Sequence, residues 1–538
     1  MLQLDELSER FWSWRSSQQP RTRDDIPRLT RPQGWLPEVG PEALDRHRAR
    51  LAGFRAELDA IDPSGLPEVA DRVDHRLMVC AMARVHWELD VVRMWRLPRY
   101  YIDQAVGPVF DVLLRPGVDA ARVREVVRLL RAVPAVVDQA EAVLAAGATA
   151  EFAALAITEL ADLDLRIAQV ATALAAVEPD AEAELRAAAS AAGTALVGYR
   201  TWLVERSATF APVEPVGRQA YEWFLTEVAC IPLGADRVRQ IGRLESDRAV
   251  VLELLHRNRF RLVPEPYLPA DAAAQARREE RDVDAVSRFY ESEGLLSQPA
   301  GLRRYLNAPM PDYLEPIRFL GVTDDLTGPD RLGEDGVAYV PDPKGPLPYF
   351  YAANARDPRL GIVHEGVHYQ QLALGWSNPR PVRRHYYDSG ANEGIAFYNE
   401  ELMLAAGLFD DAPHSRTTIY NMMRLRALRV ELDVGLAIGD LDLAAAAELL
   451  RTSVPMDAET AQEEAAFFAE SPGQALTYQI GKTQLLALLA DACRVQADRF
   501  DLRALHDAIW VNGNVPIALL RWELLGLTDE LAAIGVTP

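Results

Sequence analysis

Two histidines four residues apart, with a glutamate beside the first, are the side chains of this sequence best suited to chemistry. His364, Glu365 and His368 form the pattern His-Glu-x-x-His. Because residues four apart share a helix face, the two imidazoles can bind one cation. Neutral imidazoles suit Zn²⁺, which in catalytic sites typically has three protein ligands and one open position. Glu365 can then act as a general base on a metal-bound water without itself binding the metal.

A third ligand is predicted downstream, in a second helical run. Glu393 follows Asn392 in the segment NEGIAFY, and a carboxylate from an adjacent helix completes a His₂Glu zinc site. The alternative is that Glu393 only favours a helix N-terminus through the helix dipole. Asn392 and Tyr398 are candidates for partners of the ligands, and simple packing is the other interpretation of each.

The elements that must position these residues are almost all helices. Segments 123–147 and 181–206 repeat apolar residues at helical spacing and are rich in Ala, Leu, Arg and Glu. The segment 336–354 differs, because it alternates aromatic and β-branched residues with Pro and Gly, and it predicts a small hairpin or two short strands. We therefore expect a mostly α fold, with a helical half over 1–300 and a catalytic half over 301–538.

Composition excludes several classes of protein. The 538 residues carry 57 basic and 79 acidic side chains, a net charge of −22, which argues against nucleic acid and anionic membranes as partners. Three separated cysteines form neither a disulfide framework nor a metal knuckle. The first residues lack the basic stretch and apolar run of a signal peptide, and no segment approaches twenty apolar residues. We expect a cytoplasmic protein, and the sequence does not indicate its oligomeric state.

Several segments together resemble a known family. The chain is similar to the bacterial family called domain of unknown function 885, which itself resembles zinc metallopeptidases of the angiotensin-converting enzyme and oligopeptidase type. The resemblance implies a large helical zincin-like fold with a deep cleft between two helical halves, and one Zn²⁺ per chain. The motifs that carry it are HEGVHYQQ (364–371), NEGIAFYNEEL (392–402), SPGQALTYQIGKTQLLAL (471–488) and RFDLRALHDAIWVNGNVPIALL (499–520), with weaker likeness at 70–78 and 96–103.

Two departures limit what the resemblance transfers. Members of the family usually carry a Pro-Gly insertion between the two histidines, whereas this chain has the compact motif of ordinary zincins. Where the family often shows a histidine after an Asp-Thr-Gly stretch, this chain has DVGLA (433–437) with Ala437. Substrate specificity therefore cannot be transferred from the family.

The C-terminal motifs supply further candidates for catalysis. Tyr478 is a candidate donor to the oxyanion of a tetrahedral intermediate, or a core aromatic. His506 is a second candidate donor, or a packed structural histidine.

Other residues are candidates for binding substrate. Lys482, one helical turn after Tyr478, would bind a substrate carboxylate, or be a solvated surface lysine. Arg503 would bind a carboxylate in a bidentate pair, or belong to the surface. His385 and Tyr386 are expected to line the cleft before the third ligand. Tyr349 is a further substrate-binding candidate within the predicted hairpin.

The predicted strand has a functional interpretation as well. An edge strand beside the active-site helix offers free N–H and C=O groups to an extended peptide, and Pro346 and Pro348 suit an edge strand. A structural flap over the helix is the other possibility for this segment.

The leading hypothesis is a zinc-dependent hydrolase of peptide or amide bonds in short substrates, where the restriction to short substrates comes only from the resemblance. One alternative keeps the same site but acts on an amide or ester of a dedicated small metabolite in biosynthesis. A second alternative is a non-catalytic helical binding protein whose metal site is vestigial.

Overall fold

The computed structural model describes residues 2–22 and 29–537. Helices dominate it, which confirms the predicted mostly α fold. The helices up to residue 300 are α1 (Leu2–Gln18), α2 (Pro41–Asp59), α3 (Val69–His86), α4 (Pro98–Leu114), α5 (Ala120–Leu144), α6 (Ala150–Glu159), α7 (Leu163–Val177), α8 (Glu182–Arg206), α9 (Arg218–Trp223), α10 (Ala235–Phe260) and α11 (Ala272–Ser292).

A small sheet and twelve further α-helices follow in the described part of the chain. The strands are β1 (Tyr305–Pro309), β2 (Asp324–Asp325) and β3 (Gly336–Val340). The helices are α12 (Tyr349–Arg356), α13 (Arg359–Ile362), α14 (Glu365–Trp376), α15 (Pro381–His385), α16 (Ser389–Ala406), α17 (Pro413–Ile438), α18 (Leu443–Ser453), α19 (Ala458–Glu470), α20 (Thr477–Gln496), α21 (Leu502–Val511), α22 (Ile517–Leu525) and α23 (Asp529–Ala533).

The helices α4 to α8 form a bundle around their own apolar core. In α5, buried Val123, Val126, Leu130, Val133 and Val137 recur every three or four residues, so one face of the helix packs against α4 and α8. The helical periodicity of segments 123–147 and 181–206 is thus confirmed by α5 and α8.

A second apolar core supports the predicted metal site. It combines Leu7 of α1 and Leu77 of α3 with Val367 of α14, Ile395 of α16 and Trp510 of α21. Side chains from both sides of residue 300 therefore share one core. The predicted boundary near that residue stays a prediction.

The three-stranded sheet lies against α14. Its strand order is β1-β3-β2, with β1 parallel and β2 antiparallel to β3. A Cβ atom at Gly336 of β3 would lie only 2.6 Å from the ring of Tyr369 in α14, so glycine permits this close packing. The expected small sheet beside the active-site helix is confirmed.

Two details of the predicted strands are wrong. Only 336–340 of the segment 336–354 is a strand, and residues 349–356 form α12, whose Ala-rich sequence is compatible with a helix. β3 is the central strand, since its parallel neighbour β1 comes from thirty residues upstream, a long-range pairing that local patterns do not reveal. Pro346 lies in the loop after β3, and Pro348 precedes α12 as its N-cap, so neither belongs to an edge strand.

Candidate metal centre

The His-Glu-x-x-His motif lies at the beginning of α14. His364 is the N-cap residue, the helix begins at Glu365, and the backbone N–H of His368 donates to the carbonyl of His364. Both histidines are buried, and their ring centroids are 5.0 Å apart. The predicted sharing of one helix face is therefore present in the first turn of the helix.

Glu393 projects from α16 to the same point. The carboxylate of Asp388 caps the start of α16 by accepting the N–H of Ala391 at 2.9 Å, and Glu393 follows one turn later. Its Oε2 atom lies 3.5 Å from Nε2 of His364 and 3.3 Å from Nε2 of His368. The three predicted ligands thus offer donor atoms that all lie within 4.8 Å of one another.

The chemistry of this donor set fits a divalent cation such as Zn²⁺. Oε2 of Glu393 is buried and has no hydrogen-bond partner among the described residues. Burial acts to raise the pKa of Glu393, but the two histidines lower it well below its usual range, so the carboxylate is ionised. An ionised carboxylate and two imidazoles form the His₂Glu set of catalytic zinc sites.

A second carboxylate contacts the other side of His364. Oε1 of Glu400 is 2.6 Å from Nδ1 of His364, and Nη2 of Arg426 is 2.7 Å from the same oxygen. Burial and Arg426 lower the pKa of His364, but Glu393 and Glu400 outweigh them and raise it to about 9. Glu400 therefore orients the imidazole so that Nε2 faces Glu393.

Neither Glu400 nor Arg426 was predicted from the sequence. Glu400 follows Glu393 by seven residues, two helical turns on the same face, and this spacing could have indicated it. Arg426 had no comparable local signal, because it comes from α17, a helix remote in sequence from the motif.

Glu365 lies beside the three ligands. Its Oε1 atom is 4.0 Å from Nε2 of His364, and 36% of its side chain is exposed. A carboxylate at this distance and exposure can reach a water near the cation without replacing a ligand.

Tyr478 packs directly against the site. Its ring is nearly parallel to that of His364 with centroids 6.4 Å apart, and the guanidinium of Arg429 lies 4.5 Å from its centroid. Burial, followed by the charge of Glu393, raises the pKa of Tyr478, so its hydroxyl keeps its proton at neutral pH. The structure brings this candidate to the site, and its role as a donor stays a prediction.

A glycine contact between α16 and α20 fixes Tyr478 relative to Glu393. A Cβ atom at Gly481 would lie 2.1 Å from the carbonyl oxygen of Gly390, and one at Gly394 would lie 2.6 Å from the backbone of Gly481. Only glycine permits backbones to approach this closely. Gly394 belongs to NEGIAFY and Gly481 to GQALTYQIG, whereas Gly390 lies two residues before the first motif, so the close helix contact explains part of both motifs.

Asp433 holds the loop that leads into α20. Its buried carboxylate accepts the N–H groups of Gly473 and Leu476, each at 2.8 Å, and Gly473 has a φ of +93°. Burial raises the pKa of Asp433 to about 6, although these hydrogen bonds act to lower it. The first residue of the DVGLA segment therefore has a structural role, and Ala437 is buried in the core.

Two predicted carboxylate-binding residues are already paired within the chain. Lys482 is 1% exposed and binds Glu401 and Glu245, so it is not the solvated surface lysine considered as the alternative, and its binding of a substrate carboxylate stays a prediction. Arg503 pairs with Glu291 in α11, a contact at the surface. The sequence could not show these partners, because they lie 81 and more than 200 residues away.

His506 is a structural histidine, the alternative considered for it. The residue is fully buried, its Nδ1 is 2.6 Å from the carbonyl of Leu295, and its Nε2 is 2.9 Å from the hydroxyl of Tyr398. Both ring nitrogens are thus in contact with groups of the protein itself, which favours the structural role, and the catalytic role stays a prediction. The hydrogen bond to His506 also holds Tyr398 within the protein, in agreement with the packing interpretation of this residue. Asn392 contacts Asn514.

The residues predicted to line the cleft have other neighbours. Tyr386 is buried in the second apolar core, and His385 stacks on Trp12 with centroids 5.8 Å apart. Tyr349 begins α12, and its hydroxyl donates to Asn421. The rings of Tyr386 and His385 pack against other side chains of the protein, which gives both a structural role. Substrate binding by Tyr386, His385 and Tyr349 stays a prediction.

Comparison with known proteins identifies the family and the fold. The model of the family described as "Bacterial protein of unknown function (DUF885)" matches residues 27–255 and 329–524, and the chain belongs to this family. No curated protein matches the sequence.

Two solved structures are similar over nearly their whole length. One is described as a "putative lipoprotein of unknown function" from Shewanella oneidensis, with a TM-score of 0.71, 16% identity and coverage of 97% of this chain and 99% of that one. The other, a "putative lipoprotein" from Colwellia psychrerythraea, has a TM-score of 0.71 and 14% identity, with 97% and 96% covered. At these identities the likeness establishes the fold alone. Among the described helices, none has the length and apolar character needed to cross a membrane.

Proposed function

We propose that this member of the DUF885 family is a zinc-dependent hydrolase of peptide or amide bonds in short substrates. The observation that carries the proposal is the convergence of His364, His368 and Glu393 beside the partly exposed carboxylate of Glu365. The similarity to metallopeptidases of the angiotensin-converting enzyme type supports it only as a resemblance of motifs. The short-substrate restriction has the same origin.

In this proposal Glu365 carries the proton. Zn²⁺ held by the three ligands would lower the pKa of a water and polarise the scissile carbonyl. Glu365 accepts a proton from the attacking water and then delivers it to the leaving amine, which becomes a neutral product. Its position at the open side of His364 supports this role, because the carboxylate is near the ligands but remains reachable by a substrate.

Tyr478 supplies the hydrogen bond to the developing oxyanion. Its raised pKa keeps the phenol protonated, as a donor must be, and Asp433 and the glycine contact hold its helix in place. Glu400 and Arg426 orient His364 in the same scheme. An amide or ester of a dedicated metabolite would use the same groups in the same roles.

Metal analysis and one conservative variant test the proposal. We expect about one zinc per chain in the wild type, and its loss in His364→Ala and Glu393→Ala. Glu365→Gln should keep the metal but lose hydrolysis of a short-peptide library by a factor of about 10³ or more, because an amide cannot accept the proton. Mass spectrometry of the digested library, with and without a chelator, measures the activity.

A matched control separates chemistry from helix stability. Glu459 occupies the first turn of α19 as Glu365 occupies that of α14, but it is exposed and remote from the ligands. Glu459→Gln should leave both metal content and hydrolysis unchanged. Undiminished hydrolysis in Glu365→Gln would contradict the assigned role, and a wild type without metal or activity would favour the non-catalytic binding protein.

A cytoplasmic location is also a proposal. The Sγ atoms of Cys80 and Cys230 are 3.5 Å apart and not bonded, a state that a reducing compartment preserves. Two structural relatives are described as lipoproteins, so the location needs its own test. Fractionation of the producing cells, followed by detection of the chain in the cytoplasmic or the membrane fraction, decides between the two.

A further inference from the structure

The outer face of α10 exposes a stripe of large apolar side chains. The inner face of this helix packs against α17, where a Cβ atom at Gly242 would lie only 2.8 Å from the side chain of Val430. Residues three, four and seven positions apart share a helix face, so the exposed apolar side chains opposite this contact form one continuous stripe. They are Leu244, Val251, Leu254 and Leu255.

The loop between α10 and α11 continues directly from the end of this stripe. Leu262 is 86% exposed and Tyr267 is 97% exposed, so the rest of the chain hardly contacts them. Single apolar residues on a surface are ordinary, whereas a run of them marks a surface that binds another molecule. We call the stripe and the exposed apolar residues of the loop the α10 apolar surface, which consists of Leu244, Val251, Leu254, Leu255, Leu262, Val263, Tyr267 and Leu268.

Basic side chains border this surface where α10 ends. Arg257, Arg259 and Arg261 are all exposed. Arg257 pairs with a buried glutamate of its own helix, whereas Arg259 and Arg261 form no ion pair with a carboxylate among the described residues. The exposed acid of the following loop, Glu265, lies 3.3 Å from His414. The end of α10 is therefore locally positive, although the whole chain is strongly acidic.

Apolar side chains bordered by arginines are complementary to a lipid surface with negative headgroups. The apolar groups enter the boundary between headgroups and acyl chains, and the guanidinium groups bind phosphates. The net charge of −22 argues against such a partner for the chain as a whole. Charges in water are screened beyond about 8 Å at physiological ionic strength, however, so the arginines beside the surface decide its local preference.

The shape of the surface also favours lipid over a protein partner. A specific protein interface needs a partner surface of complementary shape, packed as densely as a protein interior. The side chains of Leu262 and Tyr267 are instead exposed almost completely on a loop, and a fluid lipid boundary accepts them without a preformed partner.

We infer that the α10 apolar surface docks the chain onto a phospholipid surface with negative headgroups. Leu262 and Tyr267 enter the boundary of the acyl chains, and Arg259 and Arg261 bind the phosphates. Since the inner face of α10 is held by α17, the helix lies along the lipid surface and does not cross it. The docking is independent of the proposed hydrolase function, because none of these residues belongs to the metal site.

Flotation of the purified full-length chain with lipid vesicles tests the inference. One set of vesicles contains phosphatidylcholine alone, and the other contains about one third phosphatidylglycerol, which is anionic. At about 0.1 M salt we expect the wild type to bind the anionic vesicles about 10-fold or more tightly than the neutral ones. At about 1 M salt, where charges are screened beyond about 3 Å, this preference should be lost.

Two double variants separate the apolar from the electrostatic contribution. Leu262→Ser combined with Tyr267→Ser should weaken binding to the anionic vesicles by about 30-fold or more, because two apolar groups no longer leave water. Arg259→Gln combined with Arg261→Gln should weaken it by about 30-fold and remove most of the preference for anionic over neutral vesicles. All four residues are partly or largely exposed, and circular dichroism verifies that the variants are folded.

Two substitutions in the separate bundle of α4 to α8 provide the controls. Leu165 in α7 is exposed like Leu262, and Arg124 in α5 is exposed like Arg259. Leu165→Ser and Arg124→Gln should leave vesicle binding unchanged. Absence of vesicle binding in the wild type, equal binding to neutral and anionic vesicles, or equal losses in the controls and the double variants would each overturn the inference.

Sedimentation velocity distinguishes lipid docking from contact between copies of the chain. Wild type that does not bind vesicles but self-associates, and loses this association in the variant with Leu262→Ser and Tyr267→Ser, would assign the α10 apolar surface to a second copy and contradict the inference. Vesicle binding by a chain that sediments as a monomer supports it.

Discussion

The two sides of α14 treat buried charge in opposite ways. On the side of α16, α17 and α20, each buried cation has an acidic partner: Arg426 with Glu400, Arg429 with Glu464, and Lys482 with Glu401. On the side of the sheet, Asp324 and Glu279 form no ion pair with an arginine or lysine among the described residues, and Oε1 of Glu279 is buried without a hydrogen-bond partner there. Ion pairs of the first kind compensate both buried charges, whereas on the sheet side burial raises the pKa of Asp324 and of Glu279. The two sides of α14 therefore differ in how their buried carboxyl groups are accommodated.

The largest effect should come from breaking a pair on the helical side. Arg426→Met leaves the carboxylate of Glu400, which is 2% exposed, with the imidazolium of His364 as its remaining close cation, and we expect the free energy of unfolding to fall by about 3 kcal/mol. Urea unfolding of the metal-free chain measures it. Arg243→Met is the control, because Arg243 is exposed and its pair with Glu431 should contribute about 1 kcal/mol or less. Equal losses of unfolding free energy in Arg426→Met and Arg243→Met would mean that the buried ion pair contributes no more to stability than the exposed one.

A smaller effect is expected when the same pair is altered from its acidic end. Glu400→Gln keeps the shape of the side chain but weakens its bond to Nδ1 of His364, so zinc affinity should fall by about 10- to 100-fold. Competition with a chromogenic chelator measures the affinity without any assay of activity. An unchanged affinity would mean that Glu400 serves only to pair with Arg426.

The smallest effect is expected on the sheet side of α14, where a substitution should raise the free energy of unfolding rather than lower it. Burial, followed by the charge of Glu365, raises the pKa of Asp324 well above its usual range, so the folded chain holds this proton to higher pH than the unfolded chain. Stability that is fully present below the unfolded pKa of about 3.9 is then lost as the pH rises towards the folded pKa, and asparagine lacks this loss. At pH 7 with chelator present, the free energy of unfolding of Asp324→Asn should be about 1 kcal/mol higher than that of the wild type.

The pH series provides the check on this prediction. The two unfolding free energies should converge at about pH 2, below the pKa of about 3.9 of the unfolded chain, where the wild-type carboxyl is protonated in both states. A variant less stable than the wild type at pH 7 would mean that Asp324 is compensated by a group within the chain. The contrast between the two sides of α14 would then disappear.

Local sequence signals predicted the parts of the site that lie on single helices. The four-residue spacing of His364 and His368 and the acidic residue of the next helical run need no knowledge of the tertiary fold. Helices α5 and α8 were predictable for the same reason, since their apolar spacing repeats within each segment.

Signals that depend on distant partners were missed or misread. Lys482 and Arg503 were predicted to bind a substrate carboxylate because their acidic partners within the chain come from other helices and are not visible in the local sequence. β3 was assigned to a hairpin because its parallel neighbour β1 comes from upstream. Arg426 reaches His364 only through the packing of α17, and Asp324 belongs to a strand of two residues that is too short for any pattern.

The contact of Gly390 and Gly394 with Gly481 has a mechanical consequence. With no side chain between their backbones, α16 and α20 touch directly, so a side chain introduced at any of these glycines would push the two helices apart. The spacing between Glu393 and Tyr478, which lie on these two helices, therefore depends on three residues that have no side chain of their own.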